Sequence, residues 1–397
     1  MIDALGESSL PDPGTPQATA LANRLGSVLQ RHLKLAEKGG RAGVAERIAR
    51  AGATLAVRLD ATGGGTATTH EALGDLFVRT DRLKEAEKAY RTALPIYHDI
   101  DDRLGQANTH RALGDLFVRT ARLKEAEEAY RTALPIYHDI NARLGQANTH
   151  QVLGELFART NRLEEAEAAY QTALPIFHAI DDRHGQANTQ RVLGELFVRT
   201  DRLKEAEEAY RTALPIYHDI DDRFGQANTL GAYGNLALSQ GLPAVAFGRM
   251  LQALAIYREV GNNFGAAGML IYLGRAAQAA DQCLRAVGLA ASALRVFEAL
   301  EDHYSQILAL MNLARAFVTL QTEEAGNAAM ILAWDHAAVI DHPLAARLAE
   351  QTGIAAPPSE DVAAARDLLT AAIARVEAEL QASGEDLYAP LAPPETP

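Results

Sequence analysis

The sequence predicts an all-α protein, a right-handed superhelical α-solenoid built from antiparallel helix pairs. Three observations predict this fold class: an internal repeat of forty residues, small and aromatic residues at helical spacing within each copy, and a helix-favouring composition. Alanine and leucine are abundant among the 397 residues, and both enter helices at little cost. No strand-like segment alternates with the repeats, which argues against parallel-sheet folds.

A glycine that recurs every forty residues marks the repeat. The eight residues around it read LGDLFVRT in the first two copies, then LGELFART and LGELFVRT, and weaker copies follow. The glycines of the six copies are Gly74, Gly114, Gly154, Gly194, Gly234 and Gly274. Ala314 occupies the same position in a seventh copy. We therefore expect an array of about seven repeats over residues 67–350, four near-identical and three divergent.

Each repeat is expected to contain two helices joined by a short polar turn. In the first copy, Leu73 and Phe77 share one helical face. In the second half of that copy, Ala86, Tyr90 and Ala93 are spaced four and three residues apart, so they also share a face. One such hairpin cannot bury its apolar face alone, but stacked neighbours bury it for one another.

This pattern resembles the tetratricopeptide repeat family, in which a small residue on helix A precedes alanine, an aromatic residue and alanine on helix B. The spacing from Gly74 to Ala86, Tyr90 and Ala93 matches that pattern. Two features depart from it: the period is forty rather than about 34 residues, and His98 replaces the proline that ends helix B. The longer period is similar to the variant in kinesin light chain and in bacterial signalling adaptors.

The regions outside the array are assigned from composition. Residues 1–18 are expected to form a disordered leader and residues 19–66 a helical N-terminal cap or degenerate repeat. The TGGGTATT stretch at 62–69 is predicted to be a flexible joint. Residues 351–382 are expected to supply a C-terminal helix that caps the array. Residues 383–397 are acidic and rich in proline, which predicts a disordered tail.

Composition also argues against several classes of function. The formal net charge is −13 with no basic stripe, which argues against nucleic acid as a partner. No apolar run predicts a membrane span, and no signal peptide is visible. The single cysteine, Cys283, fits a reducing cytoplasm. No nucleotide, metalloprotease or serine-hydrolase motif occurs, so we expect neither a cofactor nor catalysis, in a monomer or weak homo-oligomer.

The resemblance implies that a partner binds in the concave groove formed by helix A, where four columns of polar residues are carried over by position. The asparagine column, six residues before the glycine, comprises Asn108, Asn148, Asn188 and Asn228. The column three residues before it comprises Arg111, Gln151 and Arg191. The acidic column, one residue after it, comprises Asp75, Asp115, Glu155 and Glu195. The arginine column, five residues after it, comprises Arg79, Arg119, Arg159 and Arg199.

The chemistry of these columns suits an extended peptide. Each asparagine amide offers a donor and an acceptor to peptide bonds, whatever the side chains of the ligand. The arginines can hold carboxylates in a fork, which makes an acidic segment of the partner one candidate ligand. The alternative is structural. Acid and arginine columns four residues apart also pair with each other, and the asparagines can bond to a loop of the preceding repeat.

Two further columns lie on helix B. The prolines are Pro95, Pro135, Pro175 and Pro215, and the histidines are His98, His138, His178 and His218. Either duplication of one repeat or a repeated bend in helix B explains the prolines. Histidines on successive repeats lie at least a helix spacing apart, about 8–10 Å, so a surface or packing role is favoured over a metal site.

The leading function is a non-catalytic scaffold that binds a peptide or protein segment. The alternative is a ligand- or peptide-sensing regulatory protein that acts through a partner effector, since bacterial peptide receptors use similar repeats. An enzyme built on the solenoid is a third class. It requires converging ionisable groups, and the candidates for these are Asp302, His303, Asp335 and His336.

Overall fold

The computed structural model describes most of the array and the C-terminal helix. The described residues are 64–340, 342–352, 356–389 and 391, with Thr15 and Gln17. The predicted leader and N-terminal cap therefore lie almost entirely outside the described residues. The chain divides into two compact units, Met1–Gly185 and Gln186–Pro397, and each is described by itself.

The first unit contains three helix pairs among its described residues. Its helices are α1 (Gly64–Arg79), α2 (Leu83–Asp99), α3 (Arg103–Arg119), α4 (Leu123–Asp139), α5 (Arg143–Arg159) and α6 (Leu163–Ala179). Three residues separate consecutive helices, so neighbours run antiparallel. Because α1 begins at Gly64, the described part of the stretch predicted to be a flexible joint is helical, and that prediction was wrong there.

The second unit continues the same alternation. Helix α7 (Arg183–Arg199) crosses the division between the units. The helices that follow are α8 (Leu203–Asp219), α9 (Arg223–Ser239), α10 (Pro243–Glu259), α11 (Asn263–Ala279), α12 (Cys283–Ala299), α13 (His303–Thr319), α14 (Glu323–Val339), α15 (Pro343–Thr352) and α16 (Ser359–Ser383). No helix among the described residues is long and apolar enough to cross a bilayer.

The closest approach within a pair is the contact between the repeat glycine and the helix B tyrosine. A Cβ atom placed on Gly114 would lie 2.4 Å from Cε1 of Tyr130. The Tyr130 side chain is only 2% exposed, so its ring has no free space into which to move. The same contact recurs between Gly74 and Tyr90, which explains why the glycine and the aromatic residue keep a fixed spacing.

Buried amides connect consecutive repeats inside each unit. The side chain of Gln106 donates to the backbone carbonyl of Tyr97 at 3.1 Å, and Gln146 donates to that of Tyr137 at 3.0 Å. In the second unit, Gln306 donates to the carbonyl of Phe297 at 3.0 Å. Each bond ties the first turn of a helix A to the last turn of the preceding helix B, and so fixes the stacking of one repeat on the next.

A residue in the left-handed backbone region occurs every twenty positions, at both turns of each repeat. These residues are Asp81, Asp101, Ala121, Asn141, Asn161, Asp181, Asp201, Asp221, Gly241, Gly261, Asp281, Glu301 and Gln321. Their φ values lie between 53° and 72°, a region that asparagine, aspartate and glycine enter at the lowest cost. The two turns of a repeat therefore share one length and one geometry.

The helix B prolines do not interrupt their helices. Pro95 lies inside α2, which continues to Asp99, and α4 runs through Pro135 in the same way. The choice between duplication and a repeated bend as the origin of these prolines stays open.

The C-terminal part of the second unit packs against helices of the B type. Helix α16 contacts α12 and α14 and buries only Ala365, Leu369, Val376 and Leu380 fully. Residues 384–389, which composition assigned to the tail, lie against the repeats. Arg258 donates to the Tyr388 hydroxyl at 3.0 Å, and Arg285 donates to the backbone carbonyl of Asp386.

Candidate peptide-binding surface

The predicted site residues of the first unit lie on successive turns of α1, α3 and α5. We call the side of these helices that carries the four predicted columns the helix-A face. Asn108, Arg111 and Asp115 show the arrangement on α3: they are spaced three and four residues apart and remain partly accessible. The structure thus brings three of the four predicted columns together within the second and third repeats of this unit.

In the second repeat, these three residues are bonded to each other or to helix B. The Tyr137 hydroxyl donates to Oδ1 of Asn108 at 2.7 Å, and the Tyr130 hydroxyl donates to Oδ1 of Asp115 at 2.7 Å. Arg111 Nη1 donates to Oδ2 of Asp115 at 3.2 Å. The expected pairing of the acidic column with the arginine four residues later is therefore wrong here, because Asp115 pairs with the arginine four residues before it.

The arginine column serves a different purpose. Arg119 donates to the backbone carbonyl of Val78 at 2.9 Å and to Oδ1 of Asp81 at 3.2 Å, so it reaches back to the turn of the preceding repeat. Arg79 and Arg199 also interact with other described residues. The carboxylate of Asp81 is replaced by Ala121 one repeat later. Arg159 consequently has no polar partner among the described residues.

The third repeat leaves two amides without partners. Phe177 replaces the tyrosine found at this position in the second repeat, so no hydroxyl reaches Asn148. Gln151 replaces the arginine and is only 8% exposed. Within the described part of the chain, neither amide has a hydrogen-bond partner. The two lie three residues apart on the same side of α5, where a bound peptide would find both donors and acceptors.

The first repeat contributes a carboxylate that the sequence analysis did not select. Glu71 stands in the column of Arg111 and Gln151, and its Oε2 accepts a hydrogen bond from the Tyr97 hydroxyl at 2.6 Å. Burial raises the pKa of Glu71 above its ordinary value, although the bond from Tyr97 opposes this shift. Burial likewise raises the pKa of Asp115. The shared column position was the signal that would have identified Glu71.

Two columns of the helix-A face in the first unit, those three residues before and one residue after the repeat glycine, carry four carboxylates and one guanidinium. Glu71 joins Asp75, Asp115 and Glu155 of the predicted acidic column, whereas Arg111 is the guanidinium in the same columns. Asp75 accepts a hydrogen bond from the Tyr90 hydroxyl at 2.7 Å, so its position is fixed as that of Asp115 is. In these two columns the distribution of charge favours a cationic ligand, whereas the arginine column, with Arg159 unpaired among the described residues, adds positive charge to the same face.

The predicted residues of the second unit are bonded internally. Arg191 donates to Oδ1 of Asn188 at 2.8 Å and to Oε1 of Glu195 at 2.5 Å. The Tyr257 hydroxyl donates to Oδ1 of Asn228 at 2.5 Å. These asparagines already use the acceptor that Asn148 leaves open.

Histidines of helix B and histidines of helix A differ in their exposure. The side chains of His98, His138 and His218 on helix B are 80–83% exposed. In each case Nδ1 lies about 4 Å from Oδ1 of the aspartate that follows. No group of three possible metal-ligating side chains occurs within the described residues. A second column, missed from the sequence, lies half-buried on helix A at His70, His110 and His150. Burial lowers the pKa of each of these three.

Comparison with known proteins places the repeats in a family. Residues 65–139 and 145–219 match the sequence model of the tetratricopeptide repeat, so this part of the chain consists of tetratricopeptide repeats. No curated protein matches the sequence.

Solved structures share the fold at low sequence identity. The apo form of the quorum sensor NprR from B. thuringiensis is 12% identical with a TM-score of 0.61, over 78% of this chain and 87% of NprR. A Rap protein complexed with Competence and Sporulation Factor is 12% identical with a TM-score of 0.55, over 91% and 99% of the two chains. Aspartyl phosphate phosphatase F from Bacillus subtilis is 13% identical with a TM-score of 0.59, over 81% and 84%. These likenesses show the fold alone, and they confirm the predicted solenoid of helix pairs.

Proposed function

We propose that this chain, which contains tetratricopeptide repeats, is a non-catalytic interaction module that binds an extended peptide along the helix-A face. The observation that carries the proposal is the pair of unpartnered amides, Asn148 and Gln151, on α5. Both amides keep some contact with water, so a bound peptide would replace that water with direct hydrogen bonds, each contributing about 0.5–1.5 kcal/mol. The backbone of an extended peptide supplies the missing donors and acceptors without requiring any particular side chain.

The charge of the face narrows the class of peptide. Burial destabilises the ionised forms of Glu71 and Asp115, and a lysine or arginine of the ligand would relieve that cost. Asp75 and Glu155 extend the negative charge along the same side. We therefore propose a peptide with basic side chains, in place of the acidic segment considered from the sequence.

Binding is tested with fluorescein-labelled peptides of about ten residues, composed of alanine, serine and lysine or of alanine, serine and glutamate. An extended peptide of this length spans about 33 Å, which is enough to cross several helices. We expect fluorescence anisotropy to show tighter binding of the lysine series. The double variant Asn148→Ala/Gln151→Ala should weaken this binding about tenfold, because two hydrogen bonds are lost.

Two matched controls separate the face from general effects of substitution. Gln171→Ala removes an exposed amide on helix B, and Glu128→Gln/Glu164→Gln removes two exposed carboxylates there. Asp115→Asn/Glu155→Gln should reduce the preference for lysine peptides over glutamate peptides. The control variant Glu128→Gln/Glu164→Gln should leave that preference unchanged. Equal affinity of wild type and both helix-A variants for every peptide would contradict the proposal.

A second candidate function is regulation by a sensed peptide. It is favoured by the fold shared with a protein described as a quorum sensor and with a Rap protein bound to Competence and Sporulation Factor. On this proposal the bound peptide changes the array, and the change is passed to a separate effector protein. Small-angle scattering with the tightest peptide at saturation should then differ from the profile of the free chain. Identical scattering profiles with and without peptide would contradict the sensor function and would be consistent with the scaffold function.

A further inference from the structure

The last two repeats and the C-terminal helix border an open cavity in the second unit. Its volume is about 690 Å³, within the range of about 300–1,000 Å³ that is usual for small-molecule sites. Helices α12, α13 and α14 form three sides, and α16 forms the fourth. All lining residues belong to this unit, and none is a member of the four columns carried over from the sequence.

The interior and the rim of this cavity differ in chemistry. Leu294, Leu310, Leu332 and Leu369 are buried and give the interior an apolar surface. The rim carries titratable and charged groups from every surrounding element. They are Arg295 and Glu298 of α12, Glu301 of the following turn, His303 of α13, His336 of α14, and Arg366 and Glu377 of α16.

Two imidazoles, both singled out from the sequence as candidate ionisable groups, meet at this rim. Nδ1 of His303 lies 2.9 Å from Nδ1 of His336, and the ring centroids are 5.1 Å apart. One nitrogen must donate and the other accept, so the contact holds with one proton between the rings and fails when both Nδ1 atoms are protonated. Burial, followed by the proximity of His303, lowers the pKa of His336, while Asp335 opposes the shift.

The charged groups of the rim are not all neutralised by each other. Arg295 forms an ion pair with Glu377 across α12 and α16. Arg366 has no carboxylate within ion-pair distance in the part of the chain that the structure describes. Glu298 and Glu301 are likewise without an ion-pair partner there. One cation and two anions therefore remain available around an apolar interior.

We infer that this cavity binds a zwitterionic α-amino acid with a large apolar side chain. The side chain occupies the leucine-lined interior, where burial stabilises it by about 25 cal/mol per Å² of apolar surface. The carboxylate lies towards Arg366 and the imidazole pair, and the ammonium group lies towards Glu298 and Glu301. A zwitterion places its carboxylate beside Arg366 and its ammonium group beside the Glu298 and Glu301 pair, whereas a simple anion would face two carboxylates and a simple amine would leave Arg366 unmatched.

Calorimetry on the full chain with three probes of one carbon skeleton tests this assignment. L-phenylalanine carries both charges, 3-phenylpropanoate lacks the ammonium group, and 2-phenylethylamine lacks the carboxylate. We expect L-phenylalanine to bind about tenfold or more tightly than either analogue, because each analogue loses a charge-assisted hydrogen bond. Adding L-phenylalanine should also shift the imidazole ¹⁵N resonances of His303 and His336.

Removing the charges at one end of the site at a time distinguishes the two ends of the ligand. Arg366→Gln should weaken the binding of L-phenylalanine about tenfold, so that its affinity equals that of 2-phenylethylamine. Glu298→Gln/Glu301→Gln should lower the affinity of L-phenylalanine to that of 3-phenylpropanoate. Arg375→Gln and Glu379→Gln are the controls, since both residues lie on α16 outside this cavity. No heat and no imidazole shift from any probe, or equal binding of all three probes by wild type, would overturn the assignment.

Discussion

The four near-identical repeats and the three divergent ones solve the same packing problem in different ways. In the near-identical repeats, apolar contacts between repeats form small separate clusters, such as Ala107, Ala133, Ile136 and Tyr137. In the divergent repeats and the C-terminal helix, one continuous cluster runs from Ala227 to Leu391. The former therefore depend on a few repeated contacts of defined geometry, and the latter on the total area of aliphatic surface that they bury.

The position of the repeat glycine shows the difference most directly. Gly114 faces the ring of Tyr130, and a Cβ atom there would overlap the ring. In the sixth repeat, the corresponding helix B residue is Ala290, and a Cβ atom on Gly274 would come no closer than 3.3 Å to a neighbouring atom. A side chain at this position would thus overlap helix B where helix B carries an aromatic residue, and would meet only a tight backbone contact where helix B carries a small one.

The largest expected effect is a difference in sign between two glycine-to-alanine substitutions. Gly114→Ala should lower the free energy of unfolding by about 2 kcal/mol, because the new methyl group displaces a buried tyrosine ring. Gly268→Ala lies on helix A of the sixth repeat, where a Cβ atom would meet nothing within 4 Å. It should raise the free energy of unfolding by about 0.5–1 kcal/mol through helix propensity alone.

Urea unfolding followed by circular dichroism measures both changes in the full chain. Hydrogen exchange should locate the Gly114→Ala effect in α3 and α4, because repeat arrays transmit strain mainly to their neighbours. Equal changes of the same sign would show that the close contact with Tyr130 does not limit the packing of these repeats.

A smaller effect is expected from restoring the hydroxyl that the third repeat lacks. Phe177→Tyr places a donor beside Asn148, as Tyr137 does beside Asn108. It should raise the free energy of unfolding by about 0.5–1.5 kcal/mol and weaken peptide binding, because the amide is then satisfied internally. Tyr137→Phe is the reciprocal variant and should have the opposite effect on stability. Peptide affinity that is unchanged by Phe177→Tyr would exclude Asn148 from the binding surface.

The smallest effect concerns pH. Since burial lowers the pKa of His70, His110 and His150, the folded state binds protons less readily than the unfolded state, and stability falls as the pH drops through about 6.5. The fourth repeat carries Gln190 at this position. Replacing the three histidines with glutamine should reduce the loss of stability between about pH 7.5 and about pH 5.5 by a few tenths of a kcal/mol each, allowing for solvent screening.

Thermal unfolding of wild type and the triple variant at both pH values measures this difference. The raised pKa of Glu71 and Asp115 acts in the opposite direction in both proteins, so it cancels in the comparison. An identical pH dependence of the two proteins would show that these histidines titrate alike in the folded and unfolded states.

The fold followed from the sequence because the repeat period is a local property. Alanine, glycine and tyrosine at fixed spacing identify two helices and the contact between them, as Gly114 and Tyr130 show. The pairing of charges did not follow. Asp115 lies four residues from both Arg111 and Arg119, and helical spacing alone cannot tell which of them pairs with it. Only the stacked structure shows that Arg119 extends to the preceding turn.

The candidate surface was predicted as columns, whereas its use depends on contacts between distant residues. Tyr137 and Asn108 are 29 positions apart, so the hydrogen bond between them is invisible to helical periodicity. The sequence shows phenylalanine at position 177 where the second repeat has Tyr137. Its effect on Asn148 could be predicted only once the hydrogen bond between Tyr137 and Asn108 was known. His303 and His336 were named from the sequence among four candidate ionisable groups, but their spacing of 33 positions did not predict that the two rings meet.

The twenty-residue rhythm of the turns has a consequence for the gene as well as for the protein. Residues 122–140 and 202–220 are identical, and each begins directly after a left-handed turn residue, Ala121 and Asp201. Deletion or duplication of the coding segment for residues 122–201 would remove or add two whole repeats and keep a turn residue followed by an identical helix B at the junction. The length of the array can thus change by two whole repeats without altering the local sequence on either side of the junction.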